Sequence, residues 1–211
     1  MPPNQGVYEV AIVGFGPTGA VVAGLLGKKG IRTFVCDKLH DVYDKPRAIA
    51  LDHEITRVFQ HLGLVEKIHP FLEPFTDSVF YGVDGQMIKR MSTVKPPYPL
   101  AHLPSMVFTQ PPVEKVLRAH ANSYDCIDIQ LGQTLVNLEQ DDEVSTLTLQ
   151  ADDGSVTTIK AQYVIGCDGA SSAVRSFAGI GLQDLDFDEP WLVVDVLVNE
   201  EGLRKLPTNS V

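Results

Sequence analysis

The chain has 211 residues, of which 44% are hydrophobic, and its 17 Lys and Arg against 27 Asp and Glu leave a formal net charge of -10. This composition is typical of soluble globular proteins, and the negative charge excludes a general nucleic-acid binder, which needs basic residues to neutralise phosphates. Any anionic ligand must therefore be held by a local group of donors.

Cysteine usage and the amino-terminal residues predict a cytoplasmic protein. Cys36, Cys126 and Cys167 are odd in number and far apart, so neither a zinc motif nor a disulfide framework is indicated. The leader MPPNQGVYE carries no basic residue and does not predict a secretory signal. The apolar run Val10–Leu26 is at the short limit for a bilayer span and is interrupted by glycine and proline, so we expect no membrane partner.

The first elements in the chain predict a βαβ unit. Tyr8–Val13 is a short apolar run typical of a buried strand, and GFGPTG follows it as a turn. AVVAGLLGKK then predicts a helix, and IRTFVC predicts a second strand that ends at Asp37. Strand, glycine turn, helix, strand and acid within a short stretch favour a parallel α/β sheet.

The middle of the chain predicts two helices and a hairpin. Asp52–Leu64 has the pattern of an amphipathic helix closed by Gly63, and Ser78–Ser92 predicts a hairpin around Asp84-Gly85. Proline is dense from Lys95 to Pro112, which predicts an irregular crossing segment. Pro112–Ala121 predicts a helix with proline at its start.

The last part of the chain is dominated by strand patterns. Between Ile127 and Ile165 the runs IDIQL, QTLVNLEQ, VSTLTLQ and VTTIKAQYVIG are separated by Asp-rich turns, and we predict that they form a small antiparallel meander. Ser171–Ala178 predicts a short helix, and Trp191–Val198 predicts a final strand.

The glycine turn has the spacing GxGxxG, formed by Gly14, Gly16 and Gly19. In a dinucleotide site the first glycine permits the tight turn, the second lets a pyrophosphate approach the backbone, and the third allows close packing of helix and strand. The helix that opens at Pro17 and Thr18 would offer free amide groups to the phosphates. A glycine-rich turn in an ordinary α/β core is the alternative.

Asp37 stands where a dinucleotide site places the acid that accepts hydrogen bonds from ribose hydroxyls. A carboxylate there disfavours a 2′-phosphate, so the ligand would be NAD or the ADP half of FAD.

A second strand–turn–helix, YVIGCDGASSAVR at Tyr163–Arg175, can also face a ligand with its helix N-terminus. The alternative is a plain N-capped helix with Arg175 on the surface.

Together these motifs resemble the flavin-dependent aromatic hydroxylases, the single-component FAD monooxygenases typified by 4-hydroxybenzoate hydroxylase. The similarity is greatest to the phenol and 3-(3-hydroxyphenyl)propionate hydroxylase branch. The similar stretches are the glycine loop with Asp37, CDGASSAVR, YDKPRAIALDHEITRVFQHLGL, VFTQPPVEKVLR and FDEPWLVVDVLV. The family more often has Glu at the position of Asp37 and Arg at the position of Ser171.

The resemblance implies an α/β fold: a Rossmann-like FAD-binding domain with a parallel sheet and an antiparallel β-meander, plus the start of a mixed β-sheet substrate domain. Residues 1–180 would form the FAD-binding domain, with 73–110 contributing strands toward the substrate domain. Residues 181–211 would begin that second domain, which is expected to be truncated here because family members are about twice this length or more.

The resemblance also implies the site. Arg47 would lie by the flavin and its pyrophosphate, Gln110 would reach the ribityl chain, and Asp168 would belong to a segment serving FAD and the nicotinamide donor. The implied FAD-binding residues are Gly14, Gly16, Pro17, Thr18, Gly19, Asp37, Lys38, Arg47, Gln110, Asp168 and Gly169. No motif assigns a catalytic residue, and no metal site is predicted.

In the implied reaction, NADH or NADPH reduces the flavin, O₂ adds to give a flavin hydroperoxide, and a small phenolic substrate is hydroxylated. The partners would be that substrate and O₂, with no nucleic acid, and the resemblance allows a homo-oligomer. Two alternatives stay open: an NAD-dependent Rossmann dehydrogenase or reductase, and a catalytically inactive, truncated FAD-binding fragment.

Overall fold

The computed structural model describes residues 6–45, 48–190, 192 and 196–206. Its strands are β1 Val7–Val13, β2 Thr33–Asp37, β3 Ala50–Asp52, β4 Leu72–Pro74, β5 Ser78–Tyr81, β6 Met87–Met91, β7 Ser105–Phe108, β8 Ile127–Leu131, β9 Gln133–Gln140, β10 Ser145–Ala151 and β11 Val156–Gly166. Its α-helices are α1 Pro17–Lys28, α2 His53–Leu62, α3 Val65–Ile68, α4 Gln110–Ala121, α5 Ala173–Phe177 and α6 Glu200–Leu203, with a 3₁₀ turn at His69–Phe71.

A six-stranded sheet in the order β8-β2-β1-β11-β10-β9 forms the centre of the fold. The first four strands are parallel, and β10 and β9 continue the sheet in antiparallel fashion. Val10–Val13 of β1 are buried because both faces of the sheet are covered. This explains why the first predicted strand is an uninterrupted apolar run.

The prediction that IDIQL, now β8, belongs to the antiparallel meander is wrong. This strand lies at the opposite edge of the sheet and pairs in parallel with β2, with Thr33 opposite Ile127 and Asp37 opposite Leu131. A tight antiparallel hairpin needs a turn of about two residues, and only Gly132, at φ +68°, separates β8 from β9. The chain therefore leaves the sheet edge at this glycine, and the meander contains β9, β10 and β11.

The sequence predicts that the proline-dense segment Lys95–Pro112 is irregular, and this prediction is wrong for part of the segment. It contains β7, the central strand of a three-stranded antiparallel sheet in the order β3-β7-β4. These strands have three or four residues each, too few for a periodic pattern. Of the predicted strand Trp191–Val198, residues 191 and 193–195 lie outside the described residues, and the remaining four are not in a strand.

Two hydrophobic cores cover the two faces of the large sheet. Helices α1, α2 and α4 pack on one face around residues such as Ile12, Val35 and Leu117. The meander leucines Leu147 and Leu149 pack on the other face. The predicted hairpin Ser78–Ser92 forms β5 and β6, and the predicted helices near residues 53 and 112 form α2 and α4.

His120 lies at the contact between α1 and α4, where its ring approaches Gly24 and its Nε2 atom lies 3.2 Å from the Tyr124 hydroxyl. Burial lowers the pKa of His120, and the nearby Lys67 and Lys28 lower it further. The unfolded chain, with a histidine pKa of about 6.5, then binds a proton more readily than the folded chain.

We expect the free energy of unfolding to fall as the pH drops below about 6.5 and through the lower folded pKa of His120. Urea titrations at neutral and mildly acidic pH measure this loss. His120→Gln should reduce the acid-dependent loss, whereas His61→Gln, an exposed histidine of α2, should preserve it. An unchanged loss in His120→Gln would remove His120 as its source.

Candidate functional site

Two adjoining cavities lie beside the amino end of α1. The first, here the polar cavity, has a volume of about 580 Å³ and lies at the carboxyl ends of β1, β2 and β11. The second, here the apolar cavity, has a volume of about 610 Å³ and lies between α1, α2, α4, β3 and β7. Pro17, Thr18 and Glu114 line both cavities and connect them.

Most of the predicted site residues line these cavities. Those at the polar cavity are Gly14, Gly16, Pro17, Thr18, Asp37, Lys38, Asp168 and Gly169. Gln110 lines the apolar cavity, and Gly19 is buried in the first turn of α1. Arg47 lies outside the described residues. The structure therefore brings the glycine loop, the acid after β2 and the Asp-Gly turn to one place.

The three glycines of the loop face different surroundings. Gly14 has φ +97°, and an added Cβ would lie 2.4 Å from the carbonyl oxygen of Cys167. At Gly19 an added Cβ would lie 2.0 Å from the carbonyl oxygen of Gly14. At Gly16 an added Cβ would meet nothing within 4 Å. Close packing therefore requires glycine at positions 14 and 19, whereas the missing side chain at Gly16 leaves the wall of the polar cavity open.

The amino end of α1 is suited to bind an anion. The helix begins at Pro17 after the N-cap Gly16, and its first turn has no acidic residue and no side-chain cap in the described part of the chain. Amides in the first turn have no partner within the helix, and the helix dipole adds a partial positive charge there. These properties match the requirements of a phosphate.

Asp37 connects the end of β2 to the glycine loop. Its Oδ2 atom accepts a hydrogen bond from the Phe15 amide at 2.6 Å, and its Oδ1 atom accepts one from the Leu39 amide at 2.8 Å. Each carboxylate oxygen has capacity for a further hydrogen bond. The carboxylate can therefore hold the loop and still accept a hydroxyl group from a ligand in the polar cavity.

Asp168 organises the second turn. Its carboxylate accepts hydrogen bonds from the Ser172 hydroxyl at 2.5 Å, the Ala173 amide at 2.6 Å and the Val174 amide at 3.1 Å. Ser172 is the N-cap of α5, and Arg175 Nη1 donates to the Ala170 carbonyl at 2.7 Å. The helix is thus N-capped, and these bonds hold the Asp-Gly turn against the polar cavity.

Two charged residues on α4 were not predicted as site residues. Arg118 Nη2 donates to Glu114 Oε1 at 2.8 Å, and the guanidinium carbon lies 5.0 Å from the centre of the Phe15 ring. Both residues line the polar cavity. The available signal was the regular spacing of Gln110, Glu114 and Arg118, each four residues after the one before it, which places all three on one face of the helix.

The cysteine next to the site is not activated. Burial raises the pKa of the Cys167 thiol, and the neighbouring Asp168 raises it further. Burial likewise raises the pKa of Cys36 to about 12. Both groups are thiols at neutral pH, whereas the nucleophilic form is the thiolate, so they act here as packing residues.

Among the described residues, no group of three or more His, Cys, Asp or Glu side chains is arranged to hold a metal ion. In the same part of the chain, no helix has the length and apolar character needed to cross a membrane.

Comparisons with known proteins agree with this geometry. A family model described as an FAD binding domain matches residues 7–210. A probable NADH-specific resorcinol 4-hydroxylase of Rhodococcus jostii is 36% identical over 213 residues, which cover 98% of this chain and 39% of that protein. A 3-(3-hydroxy-phenyl)propionate/3-hydroxycinnamic acid hydroxylase of Mycolicibacterium smegmatis is 32% identical over 194 residues, or 92% of this chain and 34% of that protein.

A solved structure supports the same fold. The crystal structure of the flavin-dependent monooxygenase PieE, in complex with FAD and substrate, aligns with a TM-score of 0.74 and 25% identity. The alignment covers 83% of this chain and 32% of that one. The chain thus spans well under half the length of each of these three proteins. The resemblance inferred from the sequence motifs is confirmed.

Proposed function

The chain belongs to the FAD binding domain family, and from this premise we propose that it is the FAD-binding portion of an NAD(P)H-dependent aromatic-ring monooxygenase. The observation that carries the proposal is the polar cavity. There the uncapped end of α1, the open surface at Gly16 and the carboxylate of Asp37 meet. These are the groups that a diphosphate and a ribose require.

The ADP half of FAD would occupy the polar cavity. The first turn of α1, at Pro17 and Thr18, would hold the diphosphate, since Gly14 and Gly19 keep the loop tight against it. Asp37 would accept a ribose hydroxyl, and Lys38 would add a positive charge at the same wall.

The flavin half would extend beyond the polar cavity. The Asp168-Gly169 turn would lie beside the chain of FAD, and Gln110 would reach the ribityl part from the apolar cavity. Arg47, which the family resemblance implies would lie beside the flavin, completes the proposed set. Bound FAD would supply the redox chemistry, while the residues of this chain bind and orient it.

The activity of the whole protein is proposed from its relatives' names. A phenolic substrate, O₂, NADH or NADPH and one proton would give the hydroxylated phenol, NAD(P)⁺ and water. The names of the relatives give resorcinol and 3-(3-hydroxy-phenyl)propionate as the compounds that they hydroxylate, which supports a small phenol as the substrate class.

We further propose a division of the chain into domains. Residues 1–180 would form the FAD-binding domain, with strands of 73–110 facing the substrate domain, and residues 181–211 would begin that second domain. We also propose a cytoplasmic location.

The alternative function, an NAD-dependent dehydrogenase, is not favoured, because the family match is to an FAD binding domain and the similar enzymes are hydroxylases and monooxygenases.

The experiment that tests the proposed function is a titration of the 211-residue chain with FAD and, separately, with NADH. We expect a yellow protein that retains FAD through gel filtration and shows no phenol-stimulated NADH oxidation by itself. Tight NADH binding by a colourless protein that does not retain FAD would overturn the proposal.

A further inference from the structure

A buried polar ladder runs along one face of α4. Its members, Gln110, Glu114 and Arg118, are four residues apart and therefore lie above one another. Gln110 Nε2 lies 3.4 Å from Glu114 Oε2, and Arg118 Nη2 donates to Glu114 Oε1 at 2.8 Å. The two carboxylate oxygens of Glu114 thus face different partners, one toward each end of the ladder.

Each end of the ladder contacts a segment that borders a cavity. At one end the Ala48 amide donates to Gln110 Oε1 at 2.9 Å. At the other end the Arg118 guanidinium lies against the Phe15 ring, and the Phe15 amide donates to Asp37. A single carboxylate therefore connects the segment that follows residue 47 with the glycine loop.

The ladder is buried, so its charges depend on each other. The Glu114 side chain is 3% exposed and the Arg118 side chain 11% exposed. Within the described part of the chain, Arg118 Nε and Nη1 are buried and lack hydrogen-bond partners, so Glu114 is the counter-charge of this guanidinium. Loss of one charge leaves the other buried and uncompensated, which is strongly unfavourable.

We propose that Glu114 is a positioning residue that holds both ends of the FAD site in place. Through Arg118 it fixes Phe15 and the glycine loop, where the ADP half binds, and through Gln110 it fixes Ala48 on the flavin side. This inference rests on the proposed function, because it assigns to Glu114 a role in binding FAD. A ligand that spans both ends depends on the ladder more than one that occupies a single end.

The test compares FAD with ADP as ligands of the 211-residue chain and its Glu114→Gln variant. The amide keeps the shape of the side chain, but it removes the negative charge beside Arg118 and replaces the oxygen that accepts from Gln110 Nε2 with a donor NH₂ group, so both ends of the ladder are weakened. We expect the Kd for FAD to rise about tenfold or more, since a charged hydrogen bond is lost. ADP would contact only the glycine-loop end and would not need the weakened Gln110 end, so its Kd should rise about threefold or less.

Glu143→Gln is the matched control, because it removes the same charge from an exposed turn of the meander and should leave both Kd values unchanged. An unchanged Kd for FAD in Glu114→Gln would overturn the positioning role, even if its thermal unfolding temperature falls. An equal rise for FAD and ADP would overturn the coupling of the two ends. Failure of the unmodified chain to bind FAD would instead overturn the proposed function.

Discussion

Gly19→Ala is expected to destabilise the fold by about 3 kcal/mol or more. Replacement of glycine by alanine inside a helix ordinarily stabilises it by up to about 1 kcal/mol. Here the added Cβ would lie 2.0 Å from the carbonyl oxygen of Gly14, and neither backbone can withdraw without opening the contact between α1 and β1. Urea unfolding monitored by far-ultraviolet circular dichroism measures the loss.

Gly181→Ala serves as the control for this prediction. An added Cβ at Gly181 would meet nothing within 4 Å, so its free energy of unfolding should stay within about 0.5 kcal/mol of that of the unmodified chain. A Gly19→Ala protein as stable as this control would show that the glycine loop can move away from α1. The close approach seen in the structure would then not be obligatory.

Gly16→Val is expected to abolish FAD retention while the chain still folds. Gly16 has extended backbone angles that valine also adopts, and an added Cβ meets no atom within 4 Å. The cost to the N-cap should be about 1 kcal/mol or less. The two methyl groups would instead occupy the space through which a diphosphate reaches the α1 amides, and we expect the Kd for FAD to rise about a hundredfold or more.

The measurement is the visible absorbance of FAD that remains bound after gel filtration, beside a circular dichroism spectrum of the same sample. Gly6→Val is the matched control: it also adds valine where nothing lies within 4 Å, but it precedes β1 at the end of the strand distant from the site. A Gly16→Val protein that stays as yellow as Gly6→Val would contradict the placement of the diphosphate at this loop.

The sequence predicts the βαβ unit, and the meeting of its glycine loop with Asp37, because their signals are local. Strand, glycine loop, helix and Asp37 follow one another closely, so periodicity and turn chemistry determine their relation. The Asp-Gly turn before α5 is likewise contained in one short stretch. Such motifs can be recognised from neighbouring residues alone, although Gly14 also packs against the distant Cys167 in the fold.

The wrong prediction for β8 and the missed ladder of α4 both involve residues whose partners are distant in the chain. The residues of IDIQL do not indicate that β8 pairs with β2 rather than with β9. The signal in the sequence is the loop between β8 and β9, which consists of the single residue Gly132. The ladder of α4 was missed because a Glu–Arg pair four residues apart is usually an exposed helix pair. Its burial depends on the glycine loop that packs over it, which no helical pattern reveals.

The position of β11 has a consequence for synthesis of the protein. β11 lies beside β1, and Cys167, the residue after it, stands behind Gly14 of the glycine loop. A nascent chain on the ribosome would carry a complete glycine loop long before this supporting wall emerges. Pairing across such a sequence separation is slow, so the nucleotide is expected to join the protein only after about four fifths of these residues have left the exit tunnel.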